Sequence, residues 1–200
     1  MHPHQPPTYH ARLPLLGLPS GQTPVRGLPL LLLEQSAAVH SLPEGELAAV
    51  IGRRGRNILE TSALDYAAGQ RPLNDVSARD WQSRTSQWVI GKPPDTFCPV
   101  GPALVTADEI PNIQNLWLRT VIGDEELQEG HTSVMIFSVA RLIADMSQVM
   151  TLEPGEVIAT GTPFGIGAAR TPPRWLRLGA VVRIEVEKVG VLENVVVAEA

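Results

Sequence analysis

Between residues 42 and 52 the chain reads LPEGELAAVIG, two glutamates one residue apart followed by an almost wholly apolar run. The run ELAAVIG (46–52) predicts a buried strand ended by Gly52. LETSALDYAAG (59–69) places Ala63, Leu64 and Ala67 on one face of a short helix, with Gly69 as its C-cap. LNDVSARD (73–80) reads as a strand running into a polar loop. NLWLRTVIGDEELQEG (115–130) is two β-like runs around the turn dipeptide Gly123-Asp124, the pattern of a hairpin. SVARLIADMSQVM (138–150) spaces Val139, Leu142, Ile143, Met146 and Met150 as the buried face of a helix. EPGEVIATGTP (153–163) predicts a Pro-Gly turn, a strand and a loop. VVRIEVEKVG (181–190) alternates Val182, Ile184 and Val186 with Arg183, Glu185 and Glu187, a strand with one wet face. LPLLLL (28–33) fits either a buried strand or core-covering chain. The order of elements points to an α+β fold with a mainly antiparallel or mixed sheet, not to alternating βαβ units.

Composition narrows the picture. Two hundred residues, 44% hydrophobic and 18% charged, suit one globular domain or a domain with a short appendage. Eight of the 18 prolines fall in residues 1–43, so that segment is expected to be irregular or extended. The net charge of −5 comes without a basic stripe, so no nucleic-acid partner is expected. The apolar run in LPLLLLEQSAAV (28–39) is too short to span a bilayer, and no signal-peptide pattern opens the chain, so no membrane partner is expected. The lone Cys98 excludes an internal disulfide and fits a cytoplasmic protein.

The chemistry starts at Glu44 and Glu46. Alternate residues of a strand share a face, so the two carboxylates lie side by side. In a partly buried place they repel unless a cation joins them, and oxygen ligands suit Mg²⁺, Mn²⁺ or Ca²⁺. An isolated Glu-x-Glu is more often a wet strand end, so its surroundings decide between the two readings.

Those surroundings are GELAAVIGRRGRN, ALDYAAG, NDVSARDWQ, GKPPDTFCPVGP, LVTADEIP and TSVMIFSVARLIADMSQVMTLEPGEVIATGTPFGIG, in that order. Together they resemble the C-terminal catalytic domain of the fumarylacetoacetate hydrolase family, over about residues 44–196. The resemblance implies a mixed β-roll with short helices packed outside, a homodimer, Mg²⁺ or Mn²⁺, and a 2-oxo acid as the small-molecule substrate. The reaction would be C–C hydrolysis, decarboxylation or keto–enol isomerisation of acylpyruvate-like or 2-oxo-diene dicarboxylates, as in aromatic catabolism. It divides the chain into a truncated, Pro-rich N-terminal or lid segment (1–43) and a catalytic domain (44–200). Carried over by motif, the metal ligands fall on Glu44, Glu46 and Asp75. Substrate-binding positions fall on Gln82, Lys92 and Thr162, with Lys92 also catalytic through charge at a developing enolate. Taken singly, Lys92 reads as a solvated lysine and Thr162 as a turn residue. Arg79 and Asp80 are expected to form a structural ion pair.

The resemblance breaks toward the N-terminus. Many relatives carry a His and a Glu three residues apart on a lid helix that follows an Asn-Tyr dipeptide. Aligned on Tyr9 of TYHARLPL (8–15), Arg12 stands at the histidine position and Leu15 at the glutamate position, and Pro14 disfavours a helix interior. His10 is the nearest substitute and the remaining candidate for a catalytic base. Glu34 stands where relatives often have lysine. Losing the water-activating pair moves weight from hydrolysis toward decarboxylation or isomerisation. It also leaves the alternative of a degenerate member that folds and binds metal or ligand without turnover.

Overall fold

A computed structural model describes residues 40–198 and, for the backbone alone, residues 30–33. Tyr9, His10, Arg12, Leu15 and Glu34 lie outside the described residues. Strands β1 (Leu30–Leu33), β2 (Ser41–Leu42) and β3 (Gly45–Ile51) come first. A 3-10 helix, Glu60–Tyr66, leads into β4 (Ala67–Asn74), β5 (Ser77–Ala78) and the short helix α1 (Arg79–Gln82). A second 3-10 turn, Trp88–Gly91, precedes β6 (Val105–Thr106). The hairpin of β7 (Trp117–Ile122) and β8 (Glu125–His131) follows, then α2 (Val139–Val149) and β9 (Val157–Ala159). Strands β10 (Val181–Val186) and β11 (Gly190–Ala198) end the described chain.

The strands form three sheets. Five run in the order β1-β11-β10-β7-β8, with β1 parallel to β11 and the rest antiparallel. Four run in the order β6-β4-β3-β9, all antiparallel, and β2 pairs with β5. The architecture is therefore mixed, dominated by sheets and carrying few, short helices, as the residue pattern predicts.

All seven residues of β3 are buried, so both of its faces are covered. Leu47, Ala49 and Ile51 enter the main hydrophobic core together with Leu118, Ile122, Val182 and Ile184 of the five-stranded sheet. Gly45 shares that face: a Cβ there would lie 2.1 Å from Thr120 Oγ1 and 3.1 Å from Ile184 Cδ1. The strand's period of two then sends Glu44 and Glu46 to the opposite face. Helix α2 is capped by Ser138, whose Oγ accepts from the Arg141 N–H at 3.1 Å. Its buried face holds Val139, Ile143, Ala144 and Ser147.

Three local expectations are corrected. Residues 59–69 do not form a helix capped by Gly69. The 3-10 helix stops at Tyr66, and Gly69 sits inside β4, paired with Val50 and Thr106. A Cβ at Gly69 would lie 2.0 Å from the Val105 carbonyl oxygen, so this glycine permits a close strand approach. Sheet pairing on both edges outweighs a helical pattern of three apolar residues. Met150 lies just past α2 and is exposed, because the helix ends at Val149, before the fifth position of its stripe. The strand at residue 73 begins earlier, at Ala67. Among the described residues no helix is long and apolar enough to cross a membrane.

Candidate active site

The antiparallel register of β3 and β4 builds the acid cluster. Gly45 pairs with Asn74, so the residue after β4, Asp75, returns beside Glu44 and donates its N–H to the Glu44 carbonyl at 2.9 Å. The Asn74 side chain accepts from the Glu44 N–H at 3.1 Å, which fixes the approach to β3. Glu44, Glu46 and Asp75 each offer a carboxylate oxygen, and these atoms lie within 4.8 Å of one another. Glu44 is 7% and Glu46 3% exposed, whereas Asp75 is half-buried.

Two cations reach this cluster. Lys92 follows the Trp88–Gly91 turn, and its Nζ lies 2.6 Å from Asp75 Oδ2 and 2.8 Å from Glu44 Oε2. The turn packs directly on α1, because a Cβ at Gly91 would lie 2.7 Å from Gln82 Cβ. Arg79, the first residue of α1, bridges Glu44 Oε1 and Gln82 Oε1. Arg79 thus turns to Glu44 rather than to Asp80, correcting the expected ion pair: the deeply buried carboxylate has the greater need of a cation. Gln82 and Lys92 are both drawn to the acid cluster, Gln82 through Arg79.

No cation touches Glu46 among the described ion pairs. Its Oε2 accepts a 2.7 Å hydrogen bond from the Gly161 N–H. Burial pushes its pKa up to about 7, and the negative charges of Asp75 and Glu44 push the same way. The Gly161 N–H and the Lys92 charge pull it down. Burial alone would lower Lys92, but hydrogen bonds to Asp75 and Glu44 outweigh it and hold the ammonium above the ordinary lysine range. Burial also raises Cys98 to about 11, helped by Asp75 and Glu46, so its thiol stays protonated. A hard divalent ion fits this donor set: three carboxylates, two deeply buried, one touched by no cation among the described residues.

Thr162 belongs to the loop after β9. Its hydroxyl donates to the Gly45 carbonyl at 2.9 Å and accepts from Gln128 Nε2 at 2.8 Å. The hydroxyl is thereby committed to groups of the chain itself. The same loop walls a cleft of about 450 Å³, whose polar side includes Thr160, Thr162, Glu129 and His131 and whose apolar side includes Ile136 and Phe164. Two contributors were invisible in sequence. Arg79 reads in sequence as half of a local ion pair, and nothing in the sequence sets Gln128 apart from the rest of its hairpin. Only the folded packing brings Arg79 to Glu44 and Gln128 to the Gly45 backbone between the acids.

A family model described as fumarylacetoacetate (FAA) hydrolase C-terminal matches residues 23–197. The mitochondrial oxaloacetate tautomerase fahd2 of Xenopus laevis is 47% identical over 156 residues, 77% of this chain and 49% of that protein. The chain thus spans about half the length of the curated relatives it matches. Among solved structures, 2-hydroxyhepta-2,4-diene-1,7-dioate isomerase from Mycobacterium marinum is 39% identical with a TM-score of 0.79, covering 86% of this chain and 64% of that one. Maleylpyruvate hydrolase from Sphingobium sp. SYK-6, in complex with manganese(II) and pyruvate, is 32% identical with a TM-score of 0.77, covering 86% and 60%. The acid pair, the aspartate that returns beside it and the match across most of the chain agree: the protein belongs to the fumarylacetoacetate hydrolase family.

Proposed function

We propose that this chain carries a divalent-metal-dependent active site that interconverts the keto and enol forms of a 2-oxo acid. The observation that carries the reading is the gathering of Glu44, Glu46 and Asp75, with one buried acid left without a cation in contact among the described residues. These three residues would hold Mg²⁺ or Mn²⁺. Such an ion, when bound, supplies Lewis acidity toward the oxygens of a 2-oxo acid. The chain supplies the rest. Lys92 Nζ stays protonated beside Asp75 and Glu44, where it can hold the charge of an enolate oxygen or deliver a proton to it. Gln82 has its carbonyl end bound by Arg79, which leaves its amide nitrogen as the donor toward substrate. Tautomerisation is preferred over hydrolysis because it needs proton movement but no activated water, and because the curated relative above is an oxaloacetate tautomerase. The same reading takes the two larger sheets, joined at Gly45, Thr120 and Ile184, as the walls of a mixed β-roll.

The test is the decay of enol-oxaloacetate, followed by ultraviolet absorbance with and without millimolar Mn²⁺ or Mg²⁺. Wild type should accelerate the decay only with metal, and Glu44→Gln should lose at least about 100-fold of that acceleration, on the scale of removing a key electrostatic group. No acceleration at saturating metal would sink tautomerisation of this substrate. Metal binding without any turnover would support a non-catalytic member, and pyruvate as product would support a decarboxylase.

A further inference from the structure

Among the described residues, β3 loses its strand partner on its outer edge before it reaches the acids. The β9 ladder covers Ala48–Val50, and Thr160 still reaches the Leu47 carbonyl. The chain then turns away at Gly161, with φ +100. Gly45 points its N–H and carbonyl to that same edge, where a buried backbone group without a partner is costly. Side chains take the place of the missing strand. Gln128 Oε1 accepts the Gly45 N–H at 3.1 Å, and Thr162 Oγ1 donates to the Gly45 carbonyl at 2.9 Å. The Gln128 amide donates both to Thr162 Oγ1 and to the Pro163 carbonyl, each at 2.8 Å.

Gln128 is 2% exposed, on β8 of the five-stranded sheet. Its side-chain partners are the acid-bearing strand and the Thr162 loop, both distant in sequence. The loop is also seated on β8 by packing. A Cβ at Gly130 would lie 2.7 Å from Pro163 Cβ, and a Cβ at Gly165 would lie 2.5 Å from the Leu127 carbonyl oxygen. One residue before Thr162, the Gly161 N–H holds Glu46 Oε2 at 2.7 Å. The spacing between the Glu44-Gly45-Glu46 peptide and the donor that orients Glu46 is thus set by the Thr160 and Thr162 ties together with one amide side chain that joins strand and loop.

We propose that Gln128 is a positioning residue, orienting the Glu46 carboxylate by locking the Gly161–Pro163 backbone onto Gly45. It touches neither substrate nor metal. Its effect on metal affinity rests on the reading of the acid cluster as a metal centre, while its effect on the loop does not. The test uses the full chain and two variants: Gln128→Met, which keeps volume without polar groups, and Gln128→Glu, which keeps an acceptor for Gly45 and removes both donors. Ser147→Ala is the control. Ser147 is equally buried, bonds Ile58 and Ala144, and lies outside the acid cluster. Hydrogen exchange of the Gly161 amide in metal-free protein should speed at least about tenfold in both Gln128 variants and not in Ser147→Ala, as expected when a local tie is cut rather than the whole fold loosened. The Mn²⁺ dissociation constant by calorimetry should rise about tenfold in the Gln128 variants only, the loss typical of removing a group that orients a metal ligand. Gly161 exchange that stays at the wild-type rate in folded Gln128→Glu would overturn the proposal. So would a loss matched by Ser147→Ala. Wild type that binds no Mn²⁺, while the variants still free Gly161, would overturn the metal reading alone.

Discussion

From Ala48 to Val50, β3 is bonded on both edges by β4 and β9, and from Leu47 to Ile51 its inner face packs into the core. A few residues earlier the same buried segment is held by Lys92, Arg79, Asn74, Gln128 and Thr162. The apolar half is ordered by forces that cost little to satisfy. The acid half gathers like charges away from water and needs a separate partner for every group. One strand therefore anchors the fold at one end and holds, at the other, the part of the fold least content with itself.

The contrast breaks most sharply at Leu47 and Glu46, which are adjacent but face opposite ways. Leu47→Ala removes a side chain 1% exposed and should cost about 3 kcal/mol, a drop of roughly 10 °C in melting temperature. Calorimetry on the folded variant should show Mn²⁺ affinity within a few-fold of wild type. Equal loss of affinity would mean that the halves are not separable. Glu46→Gln should do the reverse. At pH 8 the metal-free melting temperature should rise by several degrees, since a buried ionised carboxylate becomes neutral while the glutamine's amide oxygen can take over the Gly161 hydrogen bond. Mn²⁺ affinity should fall at least about 100-fold, because an ion loses a charged ligand. A lower metal-free melting temperature would show that Glu46 already has a partner that favours its charge.

The smallest effect is graded with pH. Glu46 titrates at about 7 in the folded chain and near 4.5 unfolded. Between those values the native state holds the extra proton, so metal-free stability falls as pH rises through that window and then levels off. A metal must displace the same proton, so Mn²⁺ affinity should climb about tenfold per pH unit up to about pH 7 and flatten above it. A titration flat from pH 5.5 to 7.5 in wild type would remove Glu46 from the site. A slope that survives in Glu46→Gln would assign the proton to another group.

The apolar half was legible because it depends on period and composition. ELAAVIG, the hairpin around Gly123-Asp124 and the alternation of Val182, Ile184 and Val186 all became the elements they spell. Gly69 misled because a glycine after three spaced apolar residues has the same signature as a helix end, while its strand partner, Thr106, lies 37 residues away in a pairing that spacing cannot reveal. VLENVVVA carried β11 unremarked in the final residues of the chain. In the acid half, spacing gave the face shared by Glu44 and Glu46, and resemblance supplied Asp75, Lys92, Gln82 and Thr162. What spacing cannot encode is who neutralises whom. The turn of Arg79 toward Glu44, and the reach of Gln128 from the other sheet, exist only in the folded packing.

Gly45 carries one more consequence, for anyone who would transplant this acid pair. The middle letter of Glu-x-Glu looks like a free spacer, but Thr120 and Ile184 on the facing sheet leave no room for even a methyl group. The motif is therefore not a portable tripeptide. A scaffold receiving Glu44 and Glu46 must also import the surface that presses on Gly45, and any larger residue at that position must displace the Thr120 side chain of the facing sheet.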